Sequence, residues 1–125
     1  MKRLRALRGA TQCLNKEEDI ILQVSALYDE LLQKNNLAES DIVSLIFSVT
    51  QDLDEKNPAS ALRCSGRAKE TALFSVQEAK INGGLERVIR ALIHCYLEED
   101  TEIYHIYRNG AEILRPDIAG ILAGN

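Results

Sequence analysis

Between Asn15 and Asn36 the apolar residues Ile20, Ile21, Val24, Leu27, Tyr28, Leu31 and Leu32 recur at the interval that gathers them on one side of an α-helix. Asn15, with Glu18 three residues on, has the form of a capping box, and Asn35-Asn36 marks the end. Upstream, Leu4, Ala6 and the run Arg8 to Ala10 alternate with Arg3, Arg5 and Leu7 as in a strand, where Gly9 would allow a close approach of backbone. After an acidic turn at Glu39 to Asp41, Val43 to Thr50 is rich in β-branched and aromatic residues without a helical period, which predicts a buried strand. Asn57-Pro58 starts a short helix over Pro58 to Ser65, with Gly66 as its stop. Leu73 to Gln77 reads as a strand and Gly83-Gly84 as a turn, whereas Leu85 to Leu97 fits strand and helix equally. Ile103 to Tyr107 predicts another strand, Asn109-Gly110 a turn, and a short element carries Ile113, Leu114 and Arg115 up to Pro116. The sum is a mixed α+β domain spanning residues 1–125.

Composition narrows the functional classes. A chain of 125 residues can bury roughly two-thirds of the surface its unfolded form exposes, without disulfides or metal. A net charge of −4 argues against a nucleic-acid surface or a polybasic membrane patch. Cys13, Cys64 and Cys95 are odd in number, widely spaced and never paired as CxxC, which fits a reducing cytoplasm and treats the thiols as inert packing. The basic start MKRLRALRGA lacks the apolar core of a signal peptide and is expected to be part of the fold. Val88 to Leu97 contains Arg90 and His94 and is about half the length of a membrane span, so a soluble protein is expected.

Few residues offer conventional chemistry. His94 and His105 have no partner at metal-ligand spacing, and in a strand His94 and Cys95 would point to opposite faces. No nucleophile-elbow motif and no phosphate-cradling glycine loop occurs. What stands out is a set of arginines inside apolar or β-rich segments: Arg8 beside Gly9, Arg90 between Ile89 and Ala91, and Arg115 between Leu114 and Pro116. An arginine flanked by aliphatics either snorkels to an edge or pairs with an anion, because an unpaired buried guanidinium is costly. Glu78 and Tyr107 accompany this set.

Six strings along the chain carry a resemblance. They are RGAT (Arg8 to Thr11), FSVTQDL (Phe47 to Leu53), NPASALR (Asn57 to Arg63), QE (Gln77-Glu78), GGLERVIR (Gly83 to Arg90) and HIY with ILRPD (His105 to Tyr107, Ile113 to Asp117). Their collinear order resembles the AroH-class chorismate mutases, the small trimeric type unrelated in fold to the all-helical mutases. The resemblance implies a mixed β-sheet packed with helices, a homotrimer with a barrel-like core, and active sites between subunits; it reads Leu85 to Leu97 as strand. It implies an isomerase that rearranges chorismate to prephenate in the shikimate route to aromatic amino acids, with no cofactor, no metal, and neither nucleic acid nor membrane as partner.

Residue by residue, the resemblance assigns Arg90 as the catalytic cation at the ether oxygen and Glu78 as acceptor of the substrate's ring hydroxyl. Arg8 and Tyr107 would bind a carboxylate, Phe74 and Ser75 would line the pocket, and Arg63 (in a mobile loop) and Arg115 (in the C-terminal segment) would close over it. The tail 118–125 is expected to order over bound ligand. Ser75 stands where cysteine is usual, which changes little because a hydroxyl can still donate there; Asn57, where a bulky aromatic is common, and Ser60, where some members carry lysine, together imply a looser or less basic rim and weaker substrate binding. Competing readings are a catalytically weak or inactive trimeric metabolite-binding or regulatory protein of the same fold, against which Arg90 and Glu78 together speak, a trimeric imine deaminase, which the ILRPD and GGLERVIR strings fit less well than a mutase, and a plain structural protein, because fold alone does not fix function.

Overall fold

The structure, a computed structural model, describes residues 1–119. The described elements are β1 (Lys2–Gln12), α1 (Glu17–Lys34), β2 (Ile42–Val49), α2 (Pro58–Cys64), β3 (Ala72–Gln77), β4 (Val88–Glu98), β5 (Ile106–Arg108) and α3 (Pro116–Ala119), with 3-10 turns at Glu39–Asp41 and Ala111–Leu114. The strands form one mixed sheet in the order β3-β2-β4-β1-β5. The β4 strand pairs antiparallel with β1 on one side and β2 on the other, while β3 and β5 join the outer edges in parallel.

Alternation along the strands gives the sheet two unlike faces. On one, Leu7, Leu45, Phe47, Ile89, Ile93 and Cys95 pack against Ile20, Val24, Leu27 and Leu31 of α1 and Leu62 of α2 in a single core. Residues of the other face, among them Leu4, Phe74 and Tyr96, stay exposed over much of its area. This second face is covered only at one end, where Ala10, Val88 and Ala111 are buried with Leu85, Tyr107 and Leu114 packed on them. That small cluster fixes the turn at Ala111–Leu114 across the sheet and so places Arg115.

The mixed α+β class agrees with expectation, and the strand expected over Leu85 to Leu97 is present as β4 from Val88 onward, while three local details differ. Lys16, not Asn15, is the N-cap position of α1, and it makes no side-chain cap. Asn15 instead accepts N–H bonds from Asp54 and Glu55, both at 3.1 Å, and donates to Asp54 Oδ1 at 2.8 Å. Partners 39 and 40 residues away outcompete the local cap, and Glu17, Glu18 and Asp19 suit the helix dipole in its place. The strand expected at Ile103 to Tyr107 shrinks to β5, because side chains replace the ladder ahead of it. Tyr104 is held by Asn35, which accepts its N–H at 2.8 Å and donates to its carbonyl at 2.9 Å. Arg63 lies in the last turn of α2 and not in a loop. Of the tail 118–125, Ile118 and Ala119 belong to α3 and the remainder lies outside the described residues. No described helix is long and apolar enough to cross a membrane.

Asn57 caps α2 as expected, accepting the N–H groups of Ala59 and Ser60 at 2.8 and 3.4 Å. Gly9 also has the role its position suggests. A methyl group there would stand 3.0 Å from Leu27 Cδ1 and Leu31 Cδ1 and 3.2 Å from the Ile106 carbonyl oxygen. Leucine methyls can yield, but a carbonyl within the sheet cannot. Gly9→Ala should therefore destabilise the fold by about 1–3 kcal/mol, seen in urea unfolding as a lower midpoint at unchanged slope.

Candidate active site

Cross-strand pairs share a face, so the register of β4 decides what surrounds Arg90. Arg90 is opposite Ala10 on β1 and Ser48 on β2, and Tyr107 on β5 is opposite Ala10. One step along, Arg8 is opposite Leu92 and Leu92 opposite Ile46. The side chains of Arg8, Arg90, Tyr107, Ile46, Ser48 and Leu92 thus stand on the sheet face that lacks helices. Arg115, delivered by the turn above, completes the wall of a cleft of about 280 Å³. Arg90 also borders an adjoining cavity of about 450 Å³, lined by Glu78, Thr50, Asp52, residues 79–86 and Leu114.

Glu78 follows β3 in the alternation of Phe74 and Val76, and its N–H donates to the Val49 carbonyl at 2.9 Å. One carboxylate oxygen, Oε1, accepts both Arg90 Nε at 2.9 Å and the Ser48 hydroxyl at 2.8 Å. The terminal nitrogens of Arg90 and the whole Arg8 guanidinium have no protein partner among the described residues. Arg115 donates through Nε and Nη2 to the two oxygens of Asp117 at 3.1 and 2.9 Å, and this guanidinium holds the Asp117 carboxyl down at about 2. Three guanidiniums against two carboxylates make a cleft suited to an anion carrying more than one charge.

His105 supports this wall from behind. Its Nδ1 accepts the Arg8 backbone N–H at 2.9 Å, so its proton, when neutral, sits on Nε2. Burial, then the charges of Arg8 and Arg115, lower its pKa below the usual histidine value and keep it neutral. His94, by contrast, is a satisfied strand residue whose Nδ1 lies 3.1 Å from Ser44 Oγ. Burial pushes the Cys13 thiol up to about 12 and raises that of Cys95, whereas Cys64 is exposed.

A single chain therefore brings together Arg8, Glu78, Arg90, Tyr107 and Arg115. It does not bring Arg63, Phe74 or Ser75 to them. Arg63 is exposed on α2, and Phe74 is 64% exposed on the helix-free face two strands from β4. Ser75 points the other way, its hydroxyl donating to Asn57 Oδ1 at 2.8 Å. Ser48 went unassigned in the sequence, where a serine alternating with Ile46 inside a strand looks like an ordinary half-buried position.

This geometry has close counterparts. The family model described as chorismate mutase type I matches residues 4–118. The chain belongs to that family. It is 31% identical over 118 residues to the chorismate mutase AroH of Thermus thermophilus, covering 92% of this chain and 96% of that protein. It also superposes on the chorismate mutase of Clostridium thermocellum with a TM-score of 0.81 at 40% identity, over 87% of this chain and 98% of that one. As a chorismate mutase the chain is an isomerase, and a cleft built from fixed positive charge suits a rearrangement better than a proton relay.

His105 gives this site a pH signature. Its folded pKa lies below the unfolded value, so its contribution to stability is complete above the ordinary histidine range. That contribution declines as pH falls from about 6.5 towards the lowered folded value, because the unfolded chain takes up the proton first. His105→Asn supplies a non-titrating acceptor for the Arg8 N–H. Unfolding titrations from pH 7 to 5 should show a shallower loss of stability in His105→Asn than in the wild type, and equal slopes would remove His105 from this role.

Proposed function

We propose that the cleft beside Arg90 binds chorismate and rearranges it to prephenate within an assembly of three chains. The observation that carries the reading is the division of the Arg90 fork, with Nε held on Glu78 and the terminal nitrogens left to a ligand. In this rearrangement the ether carbon–oxygen bond breaks as a carbon–carbon bond forms, and no proton or covalent enzyme intermediate is required. What the enzyme supplies is a folded conformer of the dicarboxylate and positive charge at the ether oxygen as that bond lengthens.

Arg90 takes the ether oxygen and a carboxylate, because a guanidinium keeps its charge throughout the reaction. Arg8 and Tyr107 bind a carboxylate from the same face of the sheet. Glu78 accepts the ring hydroxyl through Oε2, the oxygen not engaged by Ser48 and Arg90. Arg115, tied to Asp117, closes the edge of the cleft nearest α3. The product belongs to the biosynthesis of aromatic amino acids, and the cytoplasm is the compartment where such a pathway and three unpaired thiols fit together.

The helix-free face supports self-association. Leu4, Phe74, Val76 and Tyr96 are exposed there at 54%, 64%, 41% and 44%, apolar side chains that an interface between chains would cover. Packing three such faces together forms the barrel-like core. Arg63, Phe74 and Ser75, which lie away from the cleft of their own chain, then belong to the wall that each chain offers its neighbour. Sedimentation equilibrium should give three times the 14.0 kDa chain mass; a stable, active monomer would remove the shared cleft.

The direct test is loss of chorismate ultraviolet absorbance on adding purified protein, with prephenate identified as product. Arg90→Ala should lower kcat by about 10²–10³-fold or more, and Glu78→Gln should cost less than Glu78→Ala because the amide still offers an acceptor. A folded trimer that binds chorismate without converting it would favour a metabolite-binding protein.

A further inference from the structure

We propose that Ser48 is a positioning residue for the rearrangement, holding Glu78 so that it engages Arg90 through Nε alone and leaves the Arg90 terminal nitrogens to substrate. The proposal rests on the mutase reading and adds a residue to it. Ser48 is the cross-strand partner of Arg90, and its half-buried hydroxyl donates to Glu78 Oε1 at 2.8 Å. Arg90 Nε donates to the same oxygen at 2.9 Å. Ionised carboxylate only accepts, so the serine proton is committed to Glu78 and the donor sense of the contact is unambiguous.

The need for this hold follows from where Glu78 sits. It lies one residue beyond β3, at the start of a segment without regular structure that runs to β4. Its backbone is tethered to Val49, but among the described residues only Ser48 and Arg90 hold its carboxylate. A carboxylate beside a guanidinium tends towards the two-bond arrangement in which both oxygens meet the fork. That arrangement would occupy a terminal nitrogen of Arg90 and withdraw Oε2 from the cleft. A hydroxyl on the neighbouring strand pins Oε1 on the Nε side and prevents it. The strand fixes where the hydroxyl stands, because the side chain is short and its backbone is locked in register with Arg90.

Kinetics and structure together test this. Ser48→Ala should reduce kcat about tenfold, the order expected for a small displacement of a reacting group's support, with KM changed less than twofold and the unfolding midpoint kept. Ser48→Thr, which retains the hydroxyl on a strand-favouring side chain, should recover most of the lost kcat. In a Glu78→Gln background Ser48→Ala should add less than a further twofold loss, because the two residues act as a unit. Independent, multiplying losses in the double variant, or full activity in Ser48→Ala, would overturn the proposal while leaving the mutase reading intact. A crystal structure of Ser48→Ala should show the Glu78 carboxylate moved onto the terminal nitrogens of Arg90, and an unmoved carboxylate overturns the proposal by itself. Should the wild type convert no chorismate, the mutase reading fails, and that crystal structure still decides what Ser48 does to Glu78.

Discussion

A guanidinium in the middle of a sheet has to be kept from burial without a partner, since the cost of removing an unpaired charge from water exceeds what any single packing contact returns. Arg90 sits on the central strand with paired strands on both sides. Its presence therefore demands that one face of the sheet carry no helix at that point. The rest of the architecture is consistent with this demand. Both longer helices lie on the opposite face, where Leu7, Phe47, Ile89 and Ile93 form a dry core. The near face is closed only at its end, by a small cluster that leaves the Arg90 side chain 45% exposed. Glu78 offsets part of the charge without covering it.

From that constraint the cleft's remaining groups fall into place through register more than through loops. Arg8 and Tyr107 reach the site because β1 and β5 pair in parallel over Gly9 to Thr11, which brings Tyr107 beside Ala10. Strand-borne groups lose little conformational freedom when they bind, which suits catalysis that works by holding a flexible anion in one conformer. Arg115 differs: it comes from a turn anchored by apolar contact and is paired with an exposed aspartate two residues on.

How much of this was legible in the sequence depended on the range of the interactions involved. The helix at Ile20 to Leu32 and the short helix after Asn57-Pro58 follow from local period and capping chemistry, and both are present. Asn15 misled because its strongest partners lie 39 and 40 residues away, and no local rule sees across that distance. The shortened β5 has the same origin, with Asn35 and His105 supplying hydrogen bonds that a ladder would otherwise provide. Leu85 to Leu97 was ambiguous because the outward positions of β4 include Leu92, which blurs the period of two. In the site, the embedded arginines were conspicuous on burial grounds alone, whereas Glu78 was noted only as their companion and took its role from the family's strings. Ser48 had no signature, since its significance depends on facing Arg90 from the adjacent strand.

Asn57 and Ser75, read from the sequence as two separate departures from the family's usual aromatic and cysteine, are hydrogen-bonded to each other at 2.8 Å. The same Asn57 oxygen also caps α2, and Ser75 Oγ lies 3.4 Å from the Ala59 N–H. Together they form a polar staple between β3 and the start of α2. A seven-residue helix is too short to be stable by its own hydrogen bonds, so its placement depends on such staples. Arg63 stands at its far end. A staple that stiffens the helix start acts on where that arginine is held.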